Sequence, residues 1–278
     1  MIELAPNSKT GLALRSPFIL GSGAVGWGDA WPPGIEAGWF GAFVTPPLTL
    51  QPKRGNTGPR LAEVPGGFIL NTGDHNPGVR RVFRDDVERW DGLDLPVIVA
   101  LSGRAPEDWL RLGERLEDLL VAGVEAQLPP RVTPHEAGQW IANLKRGCQL
   151  PVLAKLRATV AGPLAQACEG AGADALVVAT PPRGAAPPLT AANSTAELGE
   201  RPALVEGPVG GPAALPFTLR ALAAVAELDL GLPLIASGGI TTAEDAEWCF
   251  RLGADVVQLR SVLWTAPASV AALVGARS

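Results

Sequence analysis

The stretch from Leu234 to Ser261, LIASGGITTAEDAEWCFRLGADVVQLRS, decides the fold of this chain. It opens on an apolar run, turns at two glycines, continues with helical periodicity and reaches a second apolar run at Val256. Thr242 with Asp245 three residues later is typical of a helix start, because their side chains can accept hydrogen bonds from the free backbone N–H groups there. The pattern therefore predicts a strand–helix–strand unit of a parallel sheet.

The same unit recurs along the chain. The turn Ala171 to Asp174 repeats the Gly-Ala-Asp sequence of the turn Leu252 to Asp255, where glycine ends a helix and a strand follows. Apolar runs predict eight strands, at Phe18–Leu20, Ala42–Val44, Val97–Ala100, Val124–Ala126, Val152–Ala154, Ala175–Val178, Leu234–Ala236 and Val256–Gln258. Amphipathic stretches predict helices at Pro106–Leu120, Pro134–Lys145, Ala161–Ala171, Leu215–Leu228 and Thr242–Leu252. Strands that alternate with helices in this number predict an α/β fold of the TIM (β/α)₈ barrel type.

Three further segments complete the predicted architecture. Ile2 to Ala5 and Leu12 to Leu14 read as a hairpin that plugs the bottom of the barrel. The stretches Thr45 to Asp91 and Pro181 to Pro212 are rich in proline and glycine and predict long loops after strands two and six. Both loops leave the carboxyl ends of strands, where barrels carry their active sites. No change of composition marks a linker, so we expect a single domain over residues 1–278.

Composition and charge limit the function. The chain has 278 residues, of which 47% are hydrophobic and 18% charged, so it can bury a large core. A net charge of −5 and a pI near 5.2 argue against a nucleic-acid partner or an anionic membrane surface. The apolar runs are too short to cross a bilayer, and the first residues carry no signal-peptide pattern. The three cysteines (Cys148, Cys168 and Cys249) form no CxxC pair, which predicts a cytoplasmic protein with reduced thiols and no metal site.

The decisive stretch also carries the strongest chemical signal. Gly238 and Gly239 end the seventh predicted strand, and Arg260 and Ser261 end the eighth. Loops at these two places in barrels often bind a phosphate, since glycine lets backbone N–H groups approach it closely. An arginine and a hydroxyl would add donors. The alternative is an ordinary tight turn without a ligand.

Two other positions at the predicted barrel mouth point to a flat, anionic ligand. Gly21-Ser22-Gly23 follows the first strand, where small residues let a ring lie against the backbone, although this sequence is also common in plain loops. Lys155 follows three apolar residues at the end of the fifth strand. A cation there can stabilise a reduced flavin anion. The alternative is a lysine whose ammonium group reaches into water.

The chain resembles the dihydroorotate dehydrogenases, and it resembles most their cytosolic, FMN-binding branch. The resemblance starts with LALRSPFILGSGAVG at Leu12 to Gly26, and continues with GAFVTPPLTLQPKRGNTGPRLAEVPGGFILNTGDHNPG at Gly41 to Gly78. The segments LPVIVALSG, LPVLAKL, GPVGGPAALPFTLR and GGITTAEDA follow in the same order. The similarity thus runs over nearly the whole chain.

This resemblance implies an FMN-bearing barrel that oxidises a small-molecule substrate. By position, it implies that Asn71 contacts the substrate and that Lys155 lies by the flavin N1 edge. The implied cofactor-binding residues are Gly21, Ser22, Gly23, Thr45, Lys155, Gly210, Gly211, Gly238, Gly239, Arg260 and Ser261. Some members of the cytosolic branch work with a separate iron–sulphur and FAD subunit, and homodimers are common among them.

The sequence departs from the family pattern where the chemistry takes place. The family places a Lys after Val-Thr of the second strand, where this chain has Pro46-Pro47, and a Gly-Thr pair where it has Arg260-Ser261. The loop after the fourth strand normally reads Asn-x-Ser-Cys-Pro-Asn with Cys or Ser as the base; here it reads Ala126 to Arg131, AQLPPR. Thr180-Pro181 replaces Asn-Thr after the sixth strand, and the Asn71 to Gly78 loop is one residue short. Loss of a general base costs on the order of 10²–10⁴ in rate, so we expect a substrate other than dihydroorotate.

A replacement acid or base is available in Asp74-His75, on the loop after the second strand. A histidine beside a carboxylate can titrate near neutral pH, although the pair is equally typical of a solvated turn. Three hypotheses for the function therefore stand: an FMN-dependent oxidoreductase acting on CH–CH groups of an altered substrate, a non-catalytic barrel that serves as a binding or partner subunit, and a sugar-phosphate barrel enzyme without flavin.

Overall fold

The computed structural model describes residues 1–116, 119–189 and 204–277. Its strands in chain order are β1 (Ile2–Glu3), β2 (Ala13–Leu14), β3 (Phe18–Leu20), β4 (Phe43–Val44), β5 (Leu61–Val64), β6 (Gly67–Leu70), β7 (Val97–Leu101), β8 (Gly123–Gln127), β9 (Val152–Arg157), β10 (Ala175–Thr180), β11 (Arg183–Ala186), β12 (Val205–Gly210), β13 (Leu234–Ser237) and β14 (Val256–Leu259). Its α-helices are α1 (Val79–Asp85), α2 (Val87–Asp91), α3 (Pro106–Glu114), α4 (Pro134–Gly147), α5 (Ala161–Gly170), α6 (Leu215–Ala226), α7 (Ala243–Arg251), α8 (Val262–Thr265) and α9 (Val270–Gly275).

Eight parallel strands close into a barrel, which confirms the predicted fold. In order around the barrel they are β3, β4, β7, β8, β9, β10, β13 and β14, and β14 pairs with β3 to close the ring. Seven barrel strands contain their predicted apolar runs in full, and β4 contains the predicted run Ala42–Val44 without its first residue. Because side chains alternate along a strand, one set faces the barrel interior and the other faces the surrounding helices.

The helices begin where the sequence predicts. Thr242 accepts a hydrogen bond from the Asp245 N–H at 3.1 Å, and the Asp245 carboxylate accepts from the Thr242 N–H at 2.9 Å. Thr133 and Glu136 form the same reciprocal pair at the start of α4. Such caps satisfy backbone donors that the first helical turn leaves free. These two caps therefore fix the starts of α4 and α7.

The amino-terminal hairpin closes the bottom of the barrel, as predicted. β1 and β2 pair antiparallel, with Ile2 opposite Leu14. Leu4, Leu12 and Leu14 are buried in one apolar cluster with inward-facing residues of the barrel strands, among them Ile19. Burial of these side chains stabilises the fold by roughly 1.5–3 kcal/mol each. The floor of the barrel is therefore closed by packed hydrocarbon.

The two predicted long loops are more ordered than their composition suggests. β5 and β6 from the first loop, and β11 and β12 from the second, form one four-stranded antiparallel sheet in the order β11-β12-β6-β5. The sequence LAEVPGGFIL contains a hairpin signal, since Pro65-Gly66 lies between two apolar runs and Gly66 has a φ of +75°. Residues 190–203 of the second loop lie outside the described residues.

Candidate functional site

Three polar side chains from different strands meet inside the barrel below its carboxyl-terminal mouth. Lys155 Nζ on β9 donates to Glu125 Oε1 on β8 at 3.3 Å and to Gln258 Oε1 on β14 at 2.8 Å. Gln258 Nε2 donates to the other carboxylate oxygen, Glu125 Oε2. All three side chains are buried. We call this set (Glu125, Lys155 and Gln258) the polar network; it supplies the charge partner and hydrogen bonds that buried charges require.

Burial and the neighbouring charges shift the pKa of Lys155 in the polar network. Burial lowers the pKa of Lys155 below its ordinary value; the Glu125 carboxylate opposes this shift and the Arg260 guanidinium adds to it. Gln127 Nε2 also donates to Glu125 Oε1, at 3.0 Å. The Lys155 ammonium group is therefore held among protein atoms and does not reach into water, so the alternative of a solvent-directed lysine is wrong.

The loop after the first barrel strand is tied to the loop after the second. Ser22 Oγ donates to the Thr45 carbonyl at 2.8 Å, and the Gly23 N–H donates to the Val44 carbonyl at 3.1 Å. The Thr45 hydroxyl accepts a hydrogen bond from the Ala100 N–H at 3.0 Å and donates one to the Pro46 carbonyl. The Ser22 and Thr45 hydroxyl groups thus have partners within the protein, and their predicted role toward a cofactor remains a prediction.

Arg260 stands at the mouth above the polar network. Its side chain is exposed, yet desolvation lowers its pKa, while Asp74 and Glu125 act in the opposite direction. The two observations agree for a group in an open concavity, which water reaches although protein atoms surround it. We expect the guanidinium to stay charged, since arginine is protonated in proteins at all ordinary pH values. It lies 5.1 Å from the ring centre of Trp264, whose Nε1 donates to the Ala24 carbonyl at 3.0 Å.

Three backbone N–H groups at the ends of β13 and β14 have no partner among the described residues. Among the residues that the structure describes, no acceptor pairs with the N–H of Gly238, Gly239 or Ser261. Gly239 has a φ of +80°, and a Cβ on it would lie 2.2 Å from the Leu215 nitrogen at the start of α6. Glycine is required there both by the backbone conformation and by the close approach of the helix.

Gly210 and Gly211 have a packing role that the sequence did not reveal. Gly210 is the last residue of β12 and pairs with Phe68 on β6, and a Cβ on it would lie 2.5 Å from the Phe68 ring. Gly211 has a φ of +79°, and its Cβ would lie 2.9 Å from Gly67 Cα. Both glycines therefore let the four-stranded sheet run into the start of α6, and their predicted contact with a phosphate remains untested.

The predicted substrate and acid–base residues lie together on the loop after the second strand. Asn71 Oδ1 accepts from Asn56 Nδ2, and Asp74 forms an ion pair with Lys53 at 3.1 Å. Asp74 is half-exposed, with a φ of +53°, and His75 is exposed. The charge of Asp74 acts to raise the pKa of Arg260, against the effect of desolvation. Whether Asp74 or His75 takes part in catalysis remains a prediction.

An arginine that the sequence analysis missed fixes the loop after the fourth strand. Arg157, the last residue of β9, donates from Nη2 to the Val132 carbonyl at 2.8 Å and from Nη1 to the Pro130 carbonyl. Its buried Nε has no hydrogen-bond partner among the described residues, and burial lowers its pKa. Pro129 and Pro130 are thus held in the loop where the family motif carries Cys or Ser.

Glu125 and Gln258 were also missed as site residues. Both lie within predicted strands, and each faces the interior two positions after Gly123 or Val256. A polar residue on the inward face of an apolar strand is a signal for a buried network, because an unpartnered polar group would be too costly there. Strand alternation alone could have identified them.

Two features are absent from the described residues. No helix there is long and apolar enough to cross a membrane. No group of three or more His, Cys, Asp or Glu side chains in that part of the chain is arranged to hold a metal ion.

Comparison with known proteins identifies related sequences. The profile of the family described as dihydroorotate dehydrogenase matches residues 6–126. The chain is 34% identical to the catalytic subunit of dihydroorotate dehydrogenase B (NAD(+)) from Desulforudis audaxviator, over 95% of this chain and 88% of that protein.

Other relatives of the same description are similarly distant. The catalytic subunit from Pelobacter propionicus is 34% identical over 93% of this chain and 87% of its own length. The one from Bacillus mycoides is 31% identical over 89% of this chain and 82% of its own length. The similarity therefore extends over the barrel and over both long loops.

Proposed function

We propose a function from the premise that this chain belongs to the dihydroorotate dehydrogenase family: it is an FMN-dependent oxidoreductase acting on CH–CH groups, with a substrate other than dihydroorotate. The observation that carries the proposal is the polar network of Glu125, Lys155 and Gln258, which holds a buried cation directly below the barrel mouth. A buried charge with a perturbed pKa in a cleft is typical of a functional site.

The phosphate end of FMN fits the residues at the ends of β13 and β14. Gly238, Gly239 and Ser261 offer backbone N–H groups without acceptors among the described residues, and Arg260 adds a cation. A phosphate group accepts several hydrogen bonds and carries negative charge, so it complements this set in number and in sign. These four residues would hold the phosphate.

We propose that the ring system of FMN would lie at the mouth. Ordered side chains that fill a cavity become buried, whereas Arg260 is exposed and Pro46 is partly exposed. A Cβ on Gly23 would meet no atom closer than Pro46, at 3.8 Å. Gly21 and Gly23 would therefore leave space for a flat ring beside the first loop, and Lys155 would lie below it. FMN, when bound, supplies an acceptor for the two electrons of a hydride.

The chain's own residues would set the conditions for that chemistry. Lys155 presents a fixed positive charge whose orientation Glu125 and Gln258 determine, and such a charge favours ligand groups that become negative. The apolar barrel interior below the polar network excludes water, which strengthens the electrostatic effect of this charge. Asp74, half-exposed near Arg260, is the described carboxylate that we propose as the proton acceptor.

The altered substrate follows from the loop after the fourth strand. Residues Leu128 to Pro130 contain no group that can accept a proton from carbon, and Arg157 binds two of the loop's carbonyl groups. A site that lacks the hydrogen-bonding groups for a pyrimidine amide discriminates strongly against it. Dihydroorotate would therefore bind weakly and would not be deprotonated.

Reconstitution with FMN tests the proposal. The purified chain is incubated with FMN, freed of excess by gel filtration, and examined for the visible absorbance of bound flavin and for its bleaching on photoreduction. We expect bound, reducible flavin, and no bleaching when dihydroorotate is added without oxygen. A Lys155→Met variant is the matched comparison: it should bind flavin, but its bound flavin should be photoreduced more slowly.

Two results would contradict the proposal in different parts. Absence of bound flavin, together with no thermal stabilisation by FMN, would eliminate the oxidoreductase. Rapid bleaching by dihydroorotate would keep the oxidoreductase and eliminate the altered substrate.

A second candidate is a non-catalytic barrel that acts as a binding or partner subunit. The observation that favours it is the same proline-containing loop, which Arg157 fixes without any acid–base side chain. This candidate predicts that the chain binds FMN, and that neither a dihydropyrimidine nor another compound with an oxidisable CH–CH group reduces the bound flavin.

Partners and location are part of the proposal. The relatives are described as catalytic subunits of an NAD(+) enzyme, which supports a separate electron-transfer subunit for this chain. We propose that the protein forms a homodimer in the cytoplasm. Light scattering of the purified chain, alone and with a flavin-reductase partner, measures both associations.

A further inference from the structure

We propose that Arg157, at the end of the fifth barrel strand, binds the carboxylate group of a small organic acid, and that acids of this kind are the substrate class of the site. The inference rests on the proposed function, which describes the substrate only by its CH–CH group. A guanidinium group carries its donors in a planar fork that matches the two oxygens of a carboxylate.

Arg157 lies one inward-facing position beyond Lys155 on the same strand. Leu153 packs in the apolar cluster of the barrel interior, and Lys155 belongs to the polar network. Side chains two positions apart on a strand face the same side, so Arg157 continues this row toward the mouth, about 7 Å further along. A ligand that lies over Lys155 would therefore come within reach of Arg157.

The charge of Arg157 has no counter-ion in the described part of the chain. Lys155 is paired with Glu125 at 3.3 Å, whereas no described carboxylate lies within ion-pair distance of Arg157. Desolvation alone lowers the pKa of Arg157. By contrast, Asp74 and Glu125 oppose the same effect on Arg260. A partly buried cation without a counter-ion is costly, and an anionic ligand group would offset that cost.

The guanidinium group of Arg157 keeps donors for a ligand after its bonds to the protein are counted. Nη1 donates to the Pro130 carbonyl in an exposed bond, and Nη2 donates to the Val132 carbonyl in a partly buried one. Nε is buried without a partner among the described residues. Arginine has five N–H donors, so these two bonds do not exhaust them. The bonds to the loop hold the plane of the guanidinium group in one orientation and leave a second N–H on each Nη for a carboxylate.

The loop beside Arg157 indicates what the rest of the acid looks like. Leu128, Pro129 and Pro130 have no donor or acceptor in their side chains, so they complement an apolar body. The N–H groups that we propose for the FMN phosphate lie at the ends of β13 and β14, two and three strands away from β9 around the barrel. Arg157 would therefore bind a different anion from that phosphate, the carboxylate of the substrate.

The test uses cinnamate, a flat and otherwise apolar carboxylate, and cinnamamide, its neutral isostere. Dissociation constants for the FMN-loaded chain are measured from the change in flavin absorbance and checked by the rise in melting temperature. The unaltered chain should bind cinnamate more tightly than cinnamamide. Arg157→Gln should weaken cinnamate binding roughly 10-fold to 100-fold, the range for one charge-assisted hydrogen bond, and should leave cinnamamide binding unchanged.

The control variant is Arg131→Gln. Arg131 is exposed on the same loop, so its replacement removes one positive charge near the mouth and leaves the Arg157 guanidinium group in place. Because water and salt screen an exposed charge, cinnamate binding should change by less than about 2-fold. An equal loss of cinnamate binding in both variants would show general attraction by positive charge and would overturn the inference.

The remaining outcomes separate carboxylate binding from other roles of Arg157. Equal weakening of cinnamate and cinnamamide would mean that Arg157 only positions the loop, and it overturns the inference. So does a failure of the unaltered chain to bind cinnamate. Weaker binding of FMN by Arg157→Gln, with unchanged binding of riboflavin, which lacks the phosphate, would assign Arg157 to the phosphate and also overturns it.

A second variant is available if Arg157→Gln does not fold. Arg157→Lys keeps the positive charge but loses the planar fork of donors, so it should bind cinnamate roughly 3-fold to 10-fold more weakly and cinnamamide as before. Unchanged cinnamate binding by this variant contradicts the proposed recognition.

Failure of the proposed function would give a different result. If the unaltered chain binds no flavin, cinnamate is titrated against the chain alone and its effect on the melting temperature is measured. Stabilisation that disappears in Arg157→Gln upholds the carboxylate site without a flavin. Stabilisation equal in both proteins, or none in the unaltered chain, overturns it.

Discussion

The two ends of this barrel are built from the same strands but from opposite kinds of side chain. At the bottom, Leu153 of β9 and Val256 of β14 pack with the hairpin residue Leu14 in an apolar cluster. Two positions further along the same strands, Lys155 and Gln258 belong to the polar network. The change takes place over one inward step of about 7 Å, the distance that two strand residues span.

This difference shows how one scaffold separates stability from function. Apolar burial at the bottom needs no partners and tolerates only well-packed hydrocarbon. At the mouth, each buried polar group needs its own partner, and some N–H groups have none among the described residues at the place where a ligand is proposed. Alterations at the bottom should therefore change stability alone, and alterations at the mouth should change stability and binding together.

The largest effect is expected for Glu125→Gln. The substitution leaves the Lys155 ammonium group buried without its carboxylate, and loss of one member of a buried pair costs about 3–5 kcal/mol. Urea unfolding of the unaltered and altered chains measures this loss. The double variant Glu125→Gln/Lys155→Met should recover part of this lost stability. If Glu125→Gln is as stable as the unaltered chain, Glu125 and Lys155 do not form a fully charged pair.

Leu14→Ala probes the bottom of the barrel. Leu14 is fully buried in the floor cluster, and truncation of a buried leucine costs about 2–5 kcal/mol through lost burial and the cavity left behind. Urea unfolding should show this loss, while the FMN dissociation constant stays unchanged. A weaker affinity for FMN in the folded variant would contradict the separation of the two ends.

Gly239→Ala probes the backbone of the mouth, with Gly172→Ala as its control. Both glycines have positive φ values, +80° and +89°, but an added Cβ meets the Leu215 nitrogen at 2.2 Å in the first and no atom within 4 Å in the second. The control should cost about 1–2 kcal/mol, the penalty for the conformation alone. Gly239→Ala should cost about 2 kcal/mol more, since backbone atoms must move. If both variants lose the same stability in thermal unfolding, the start of α6 moves aside at little cost.

The smallest effect is a pH dependence that comes from Lys155. The pKa of Lys155 in the folded chain lies below the ordinary 10.5, which applies to the unfolded chain. At pH values between these two pKa values the unfolded chain binds one more proton than the folded chain, so the free energy of unfolding rises with pH. Below the folded pKa both states are protonated, and this dependence ends. The slope for one proton is at most about 1.4 kcal/mol per pH unit. Urea unfolding from neutral to alkaline pH should show this rise, and a slope equal to that of Glu125→Gln/Lys155→Met would contradict the lowered pKa.

The amino-acid sequence by itself determined the barrel. Strand and helix periods, the Thr242–Asp245 cap and the repeated Gly-Ala-Asp turns are local features, and each predicted strand run overlaps an observed barrel strand. The sequence also indicated Lys155 and the glycines at the ends of strands seven and eight. These are signals that neighbouring residues carry together, so no knowledge of the folded chain is needed to detect them.

The tertiary structure decided which distant residues act together. Glu125, Lys155 and Gln258 come from three strands, and they meet because the ring closes. The four-stranded sheet joins the two long loops, and it pairs Phe68 with Gly210, which lie 142 positions apart in the chain. Arg157 donates a hydrogen bond to the loop after the fourth strand, and the prolines of that loop do not indicate an arginine partner in the sequence. Contacts of this kind depend on closure and register, which no local pattern encodes.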